Sequence, residues 1–507
     1  MRRSIAAALA AVALVLSSAA TASAAHSFTF FGSGWGHGLG LSQWGAYGLA
    51  LDGWTAPKIV THFYSHTKVA NVDKPPARLR IGIAQGRTRY RLRASGGTVD
   101  LRLSKPKHGD VVTTIPKDET WTVKVASGKY KILDADGHRV RTAVGGPSTD
   151  LFASYVPNTA RVRVAEAGHT YNRGWIEFNI TDCSGTCSMR LILSIPPEEY
   201  LYGLAEVPSS WPKPALEAQA IAARTYAFRR VQTSGQHRVG CNCALYATSQ
   251  DQVYAGWDKE GGVDGDRWVA AVDATGGKAI VYRGDLIDAF YSSSSGGYTE
   301  NNENVWGGSP IAYLRGVCDP GDYTSANPNA VWHVSYTAKQ VTSRLGLGVG
   351  TVRKFANVKR GVSGRIVSVT VKGANGSTTI DGDRLRAALG LNGDRVWINA
   401  NRQVTGEIRQ KYDSTGCRPG LPTSRRVHVA GGQRQQFKKG TIYYRSDVGA
   451  HAIGGAVLGA YLGEGGPKGR LGFPISDVRK LSDGSRRAKF EHGVITCDGG
   501  DCSVSST

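Results

Sequence analysis

The chain has 507 residues, with 62 Lys and Arg against 40 Asp and Glu, for a formal net charge of +22. That length implies two to four domains. The charge is spread along the chain and accompanied by no recognised DNA- or RNA-binding motif, which argues against nucleic acid and leaves polyanionic surfaces, or solubility alone, as its meaning.

Residues 1–24 read as a secretory signal peptide: Arg2 and Arg3 form a basic start, Ile5 to Leu16 an apolar run, and Ala22-Ser23-Ala24 a small-residue cleavage site. The run is too short to span a bilayer and no later stretch approaches that length. The mature chain is therefore expected to be exported, without a membrane span and with a charge of +20 once the two arginines are lost. Eight cysteines in an exported chain suggest disulfides. The simplest pairing joins Cys183 to Cys187, Cys241 to Cys243, Cys497 to Cys502 and Cys318 to Cys417.

Residues 25–65 are rich in glycine and aromatics and include Gly34-Trp35-Gly36-His37-Gly38-Leu39-Gly40-Leu41-Ser42-Gln43-Trp44-Gly45-Ala46-Tyr47-Gly48. Glycines at this spacing let backbone approach a ligand closely, and His37 and Gln43 can direct polar groups toward it. A satisfied core histidine is the competing meaning of His37. A phosphate loop is disfavoured, since the block has neither the Lys-Ser/Thr pair nor a preceding apolar strand. Lys74-Pro75-Pro76 opens a β-rich region over 66–150, with alternating segments at Leu79–Ile83 and Trp121–Val125.

A core over 151–400 mixes strands with two or three helices. In it, Glu206 ends an apolar run and precedes Val207-Pro208-Ser209-Ser210-Trp211-Pro212 and an Ala-rich helix from Ala215 to Tyr226. Ser209 or Ser210 is expected to cap that helix, with Pro212 in its first turn. Leu216, Ala220, Ala223 and Ala227 form one face; Glu217, Ile221, Arg224 and Phe228 form a neighbouring stripe. Arg224 is thereby placed to meet a carboxylate or a polar substrate group. On residues alone, an ordinary surface helix with a Glu–Arg pair fits as well. His237, Cys241 and Cys243 follow; three such side chains can hold a metal with an open position, but the C-x-C spacing also permits a disulfide, which is favoured. No cofactor is expected.

A second block reads Phe290-Tyr291-Ser292-Ser293-Ser294-Ser295-Gly296-Gly297-Tyr298-Thr299-Glu300-Asn301, then Val305-Trp306-Gly307 and Tyr313-Leu314-Arg315. Its Ser, Gly and Asn groups suit hydrogen bonding to a ligand or a plain turn. Trp306 and Tyr313 suit stacking on sugar faces, and Arg315 suits an anionic substituent. Residues 401–426 read as a linker, polar from Ser414 to Arg426, and 427–507 as a small module. Within the module, Phe490-Glu491-His492-Gly493-Val494-Ile495 partly repeats Phe437-Lys438-Lys439-Gly440-Thr441-Ile442. Repeats of this kind usually stack, because one unit buries little core alone.

The run Glu199-Tyr200-Leu201, Gly203, Glu206, Pro208, Trp211, Ala218-Gln219-Ala220 and Ala222-Ala223-Arg224-Thr225-Tyr226 resembles the signature of the SpoIID/LytB family. Glu217 stands where many members carry lysine. The second block resembles the family's second motif. The Gly34–Gly48 block resembles one that members usually carry at the C-terminal end of the domain; its N-terminal position here implies a circular permutation. The module, with Gly440-Thr441-Ile442-Tyr443-Tyr444, Gly449-Ala450-His451-Ala452 and Leu471-Gly472-Phe473-Pro474, resembles an LGFP repeat.

The resemblance implies an α+β, β-rich catalytic domain with a few helices around a groove, secreted and wall-associated. It implies Glu206 as the catalytic acid/base of a peptidoglycan lytic transglycosylase. Substrate contacts are expected from Arg224, Ser294, Ser295, Gly296, Gly297, Glu300, Trp306, Tyr313, Arg315, His37 and Gln43. The implied partners are peptidoglycan glycan strands, anionic wall polymers and a wall amidase. The alternative is a non-enzymatic enhancer of that amidase. For hydrolysis instead of transglycosylation, Glu300 or Glu303 would supply the second carboxylate.

Overall fold

The computed structural model describes residues 26–506 apart from 182, 184 and 185; the leader expected over 1–24 lies outside the described residues. The fold is α+β. Strands from residues 79–195 build two antiparallel sheets of six strands each, and Leu245–Tyr246 adds a seventh, parallel strand to one of them. Strands such as Arg89–Ser95 and Thr120–Ala126 alternate buried and outward side chains, the pattern of a sheet with one face on a core. Residues of both sheets share one apolar core. The hydroxyls of Tyr90 and Tyr130 donate to the carbonyls of Met189 and Phe178, tying strands of the smaller sheet to those of the larger.

The expected division at residue 150 does not separate two units. Leu151–Ser154 pairs with Val99–Leu103 on one side and Trp175–Ile180 on the other, while Leu79–Arg87 pairs with Met189–Ile195. A strand buried inside a sheet needs partners for its N–H and C=O groups on both edges. Here those partners come from both sides of the division.

Four helices form the layer that carries the site: α1 (Gln43–Leu51), α2 (Ala56–Phe63), α3 (Pro197–Tyr202) and α4 (Lys213–Ser234). The expected apolar face of α4 is buried, and so are Gln219, Arg224 and Thr225. A helix with so many small residues buries most of its circumference, and α1, α2, the helix Gly265–Ala274 and the strand Lys278–Tyr282 pack around it. Its start differs from expectation. Pro212 is the N-cap, Pro214 lies in the first turn, and neither Ser209 nor Ser210 caps it.

The N-terminal segment is woven into the far end of this body. Ser27–Gly32 lies between Trp332–Thr337 and Val396–Ile398. Ser33 N–H donates to the Arg395 carbonyl at 3.1 Å and Gly36 N–H to that of Asn392 at 2.9 Å. The Gly34–Gly48 block thus continues in space from the segment around residues 390–398, the adjacency a circular permutation requires.

The segment 401–426 is not a linker. It contains the helix Gly406–Ser414, whose Ile408 and Tyr412 are buried against Phe437 and Ile442. The helix Gly455–Gly463 buries Val457 and Tyr461 in the corresponding way. Each helix precedes a four-stranded sheet, one over residues 427–453 and one over 479–506. Pro422 bridges to Phe437 in the first unit and Pro474 to Phe490 in the second. The tail is therefore two repeats of one plan, beginning before residue 427. Its polar composition misled because a short amphipathic helix needs only two large apolar anchors. All four expected cysteine pairs are formed, and Cys318–Cys417 ties the first repeat to the body that precedes it.

The N-terminal block and the second block interlock at Gly34 and Gly296. Both have positive φ, +83° and +76°. A Cβ on Gly34 would lie 2.7 Å from the Gly296 nitrogen, and one on Gly296 would lie 2.7 Å from the Ser33 carbonyl. Gly296→Ala is expected to lower unfolding free energy by about 2 kcal/mol, since it combines left-handed backbone with a backbone clash. Urea denaturation measures it; a change within about 0.5 kcal/mol would show that the two loops are not held together.

Candidate functional site

Glu206 sits in the turn between α3 and α4. The turn is fixed by a bridge between Leu204 and Tyr254 and by Ala205 N–H donating to the Val253 carbonyl at 2.8 Å. Val253 N–H donates in turn to Glu206 Oε1 at 2.6 Å. Gln43, from α1, reaches the Glu206 carbonyl at 3.5 Å and Gln219 Oε1 at 3.4 Å. A buried polar relay lies beside the carboxyl: Tyr200 Oη donates to Gln252 Oε1 at 3.1 Å, and Gln252 Nε2 donates to Tyr291 Oη at 2.9 Å. Burial raises the Glu206 pKa above the ordinary carboxylate value, and the Val253 amide, Tyr291 and Gln43 oppose that rise only in part.

Arg224, expected from the sequence to meet a carboxylate or a polar substrate group, does not meet this carboxyl. Arg224 is fully buried and turned the other way. Its Nε and Nη2 grip Glu198 at 2.8 and 2.7 Å, and its remaining N–H groups meet the carbonyls of Lys278 and Val272 and the Thr275 hydroxyl. The helix register did place it to meet a carboxylate, but that carboxylate is Glu198, on α3. Arg224 fastens α3 to α4 and so fixes the turn that bears Glu206; it is not positioned to touch a ligand.

The loop after Glu206 is held by cations acting on carbonyls. Lys259 Nζ donates to the Val207 carbonyl at 2.6 Å, and Arg267 donates to the carbonyls of Ser210 and Trp211 at 3.1 and 3.0 Å. Burial brings the Lys259 pKa down to about 8. Trp211 packs against Trp44 and Tyr47 of α1, with ring centroids 4.8 and 5.2 Å away. The N-terminal block thus meets Glu206 through both Gln43 and this aromatic cluster.

The second block meets the same place from the other side. Tyr291–Ser292 pairs in parallel with Leu41–Ser42. Beyond Tyr291, however, the serines turn inward. Ser294 Oγ donates to Asp322 at 2.8 Å and Ser295 Oγ to Asp319 at 2.6 Å, with Ser42 Oγ also on Asp322 at 3.2 Å. Ser294, Ser295, Asp319 and Asp322 are all buried. Their hydroxyls are engaged with buried aspartates and are closed to a ligand. Gly296 and Gly297 are spent on close backbone approach, with Arg409 beside Gly297.

Glu300 is also buried. It accepts from the amides of Asn301, Val362 and Ser363, from Asn304 Nδ2 and from the Ser363 hydroxyl, at 2.6 to 3.0 Å. Glu303 pairs with Arg315, and Arg315 also meets Asn302 and the carbonyls of Ile311 and Leu314. Tyr313 Oη donates to Asp288. None of these four extends the Glu206 site.

Trp306 is 53% exposed and rests on His37 and Phe290, with centroids 5.0 and 4.6 Å away. Trp35 is 51% exposed on the same glycine-rich block. Burial, with Arg365 adding to it, holds the His37 pKa down to about 4, so the ring is neutral at pH 7, and its Nδ1 accepts from the Leu39 amide at 3.0 Å. Cys241 and Cys243 are joined to each other and His237 Nδ1 bonds Asn242 Oδ1 at 2.6 Å, so the candidate metal ligands are otherwise engaged.

The expected site residues therefore divide. Glu206, Gln43, His37 and Trp306 gather around the glycine-rich block; Arg224, Ser294, Ser295, Gly296, Gly297, Glu300, Tyr313 and Arg315 build the scaffold. Sequence reasoning missed Tyr291, Gln252, Tyr200, Trp44 and Tyr47. Four of these stand within or beside the three motif blocks, so block membership was an available signal; nothing marks Gln252.

Residues 186–282 match the SpoIID family, described as Stage II sporulation protein, and residues 420–469 match the LGFP repeat. Stage II sporulation protein D of Bacillus subtilis (strain 168) is 32% identical over 226 residues, covering 43% of this chain and 64% of that protein. Stage II sporulation protein D of Bacillus amyloliquefaciens is 30% identical over 222 residues, 42% of this chain and 63% of that protein. The amidase enhancer of Bacillus subtilis (strain 168) is 35% identical over 139 residues, 27% of this chain and 17% of that protein. The chain thus matches less than two thirds of the length of these relatives.

Two predictions follow from the scaffold. Arg224→Met is expected to cost about 3 kcal/mol of stability, because it takes the donor from the Lys278 and Val272 carbonyls and the α4 grip from Glu198. A variant with unchanged stability and a weakened affinity for glycan would return Arg224 to ligand binding. Burial, with Asp322 beside it, raises the Asp319 pKa. A carboxyl raised on folding supports the native state below its unfolded value, and that support is lost as pH rises toward the folded value. Asp319→Asn should therefore flatten the fall in melting temperature between pH 5 and pH 9; an unchanged slope contradicts this origin.

Proposed function

We propose that this chain, which carries a SpoIID domain ahead of an LGFP repeat, cleaves peptidoglycan glycan strands as a lytic transglycosylase through Glu206. The observation that carries the proposal is a buried carboxyl with a raised pKa, approached by Gln43 of the N-terminal block and Tyr291 of the second block. No arginine or lysine figures among the groups that move its pKa. Such a group keeps its proton to higher pH than an ordinary carboxyl and, while protonated, can donate to the glycosidic oxygen between N-acetylmuramate and N-acetylglucosamine. The carboxylate then takes the proton of the muramate C6 hydroxyl, which attacks C1 and closes a 1,6-anhydro ring. The nucleophile is part of the substrate, so its effective concentration is high and no second carboxylate is needed to activate water. Glu300 and Glu303, the residues available for that second role, are engaged elsewhere. The exposed faces of Trp35 and Trp306 suit sugar stacking.

Similarity to a protein named amidase enhancer supports a second reading, in which the chain holds glycan and stimulates a wall amidase without cutting. In either reading the chain is secreted and held at the wall by its repeat module.

Digestion of purified glycan, with and without stem peptides, separates the two. Transglycosylation yields anhydro-muramate ends, and Glu206→Gln lowers their formation by at least about a thousandfold. Intact glycan in the presence of a stimulated amidase supports the enhancer instead, and reducing ends indicate hydrolysis. Because the acid must start protonated, kcat should fall as pH rises through the raised Glu206 pKa. A rate that rises over that limb contradicts its role as the acid.

A further inference from the structure

A cavity of 460 Å³ lies at the junction of the catalytic body and the first repeat, away from the residues that surround Glu206. The body contributes Arg360, Trp397 and Arg402; the repeat contributes Leu421, Thr423 and Lys438. Three lining side chains are cationic and none is acidic. Arg360 is pinned from behind, donating to the carbonyls of Gly364 and Val396 at 2.5 and 2.9 Å, with its guanidinium 5.2 Å from the Trp397 ring centre. Arg395 approaches the same ring to 5.2 Å. Among the described residues, neither Arg360, Arg402 nor Lys438 belongs to an ion pair.

We infer that this cavity binds an anionic group, a phosphate or carboxylate carried on a wall polymer, and that the body and the first repeat grip it jointly. Like charges collected in a partly enclosed cavity repel one another, and an entering anion relieves that repulsion. Burial chiefly, with the neighbouring Arg402 adding to it and Asp394 opposing, draws the Arg360 pKa down to about 10. The cation is not demanded by the repeat fold. At the position of Lys438 the second repeat has Glu491, which pairs with Arg445, and at the position of Thr423 it has Ile475. The first repeat thus departs from its sibling where it faces the body, and the departure adds positive charge. Guanidinium and ammonium groups offering several N–H donors suit the oxygens of a phosphodiester or carboxylate.

The test is a binding assay with the full chain and its Arg402→Gln/Lys438→Gln variant, which leaves the backbone-bonded Arg360 in place. Three probes are used: poly(glycerol phosphate), peptidoglycan freed of phosphate polymers, and a neutral chito-oligosaccharide. The variant is expected to lose at least about tenfold in affinity for one of the two anionic probes while its binding of the neutral one is unchanged. The probe affected identifies the source of the anion. A Lys105→Gln/Lys107→Gln control removes the same charge from an exposed turn and should bind within about twofold of the native chain. Equal losses in both variants would reduce the effect to net charge, and retained affinity for both anionic probes in the first would leave the cavity without a ligand; either overturns the inference. Because no bond is cut, the assay gives its answer whichever role Glu206 has.

Discussion

Burying one carboxyl with no cation beside it is the constraint on which the rest of the structure depends. An ionised carboxylate in an apolar setting is costly, so the group keeps its proton to higher pH than it would in water. The arrangement around Glu206 maintains that condition. Val253 supplies a single short amide contact, Tyr291 and Gln43 approach as neutral groups, and the nearby basic side chains Lys259 and Arg267 spend their N–H groups on carbonyls of the following loop. Arg224, the one arginine on the buried stretch of α4, faces away and is neutralised by Glu198.

Holding that condition requires three segments remote in sequence. The α3–α4 turn carries the carboxyl, the N-terminal glycine-rich block brings Gln43 and Trp44, and the strand at Tyr291 brings the phenol of the polar relay. They are fixed together by backbone rather than by long side chains: Gly34 against Gly296, Leu41–Ser42 beside Tyr291–Ser292. The buried serines and aspartates behind this seam play the same part. Ser294 and Ser295 donate to Asp322 and Asp319, and those bonds lock the loop's shape.

What could be read in the sequence follows from the range over which each signal acts. The Ala-rich pattern of α4 is local and periodic, and its helix and buried face were legible. So were the neighbouring cysteine pairs and the 53-residue echo of Phe437 at Phe490. The partner of Arg224 was not, because helical register gives a side chain's direction but not which of Glu198, Glu206 or a ligand stands there. The serines of the second block have the composition of a binding loop, and only the fold shows that buried aspartates some 25 residues later use up their hydroxyls. The helix Gly406–Ser414 was hidden by polarity, since two anchors, Ile408 and Tyr412, suffice to dock it. Sheet membership on either side of residue 150 was illegible for a simpler reason: strand alternation does not name the partner strand.

The account stands or falls on the protonation of Glu206. Carboxyl-carbon NMR of glutamate-labelled protein, with Glu206→Gln to assign the resonance, gives that pKa directly. If Glu206 is the acid, it titrates clearly above the range of ordinary glutamates, which lies around 4.3. Titration at or below that value would mean a carboxylate already ionised at rest, and would contradict the proposal that Glu206 acts as the acid.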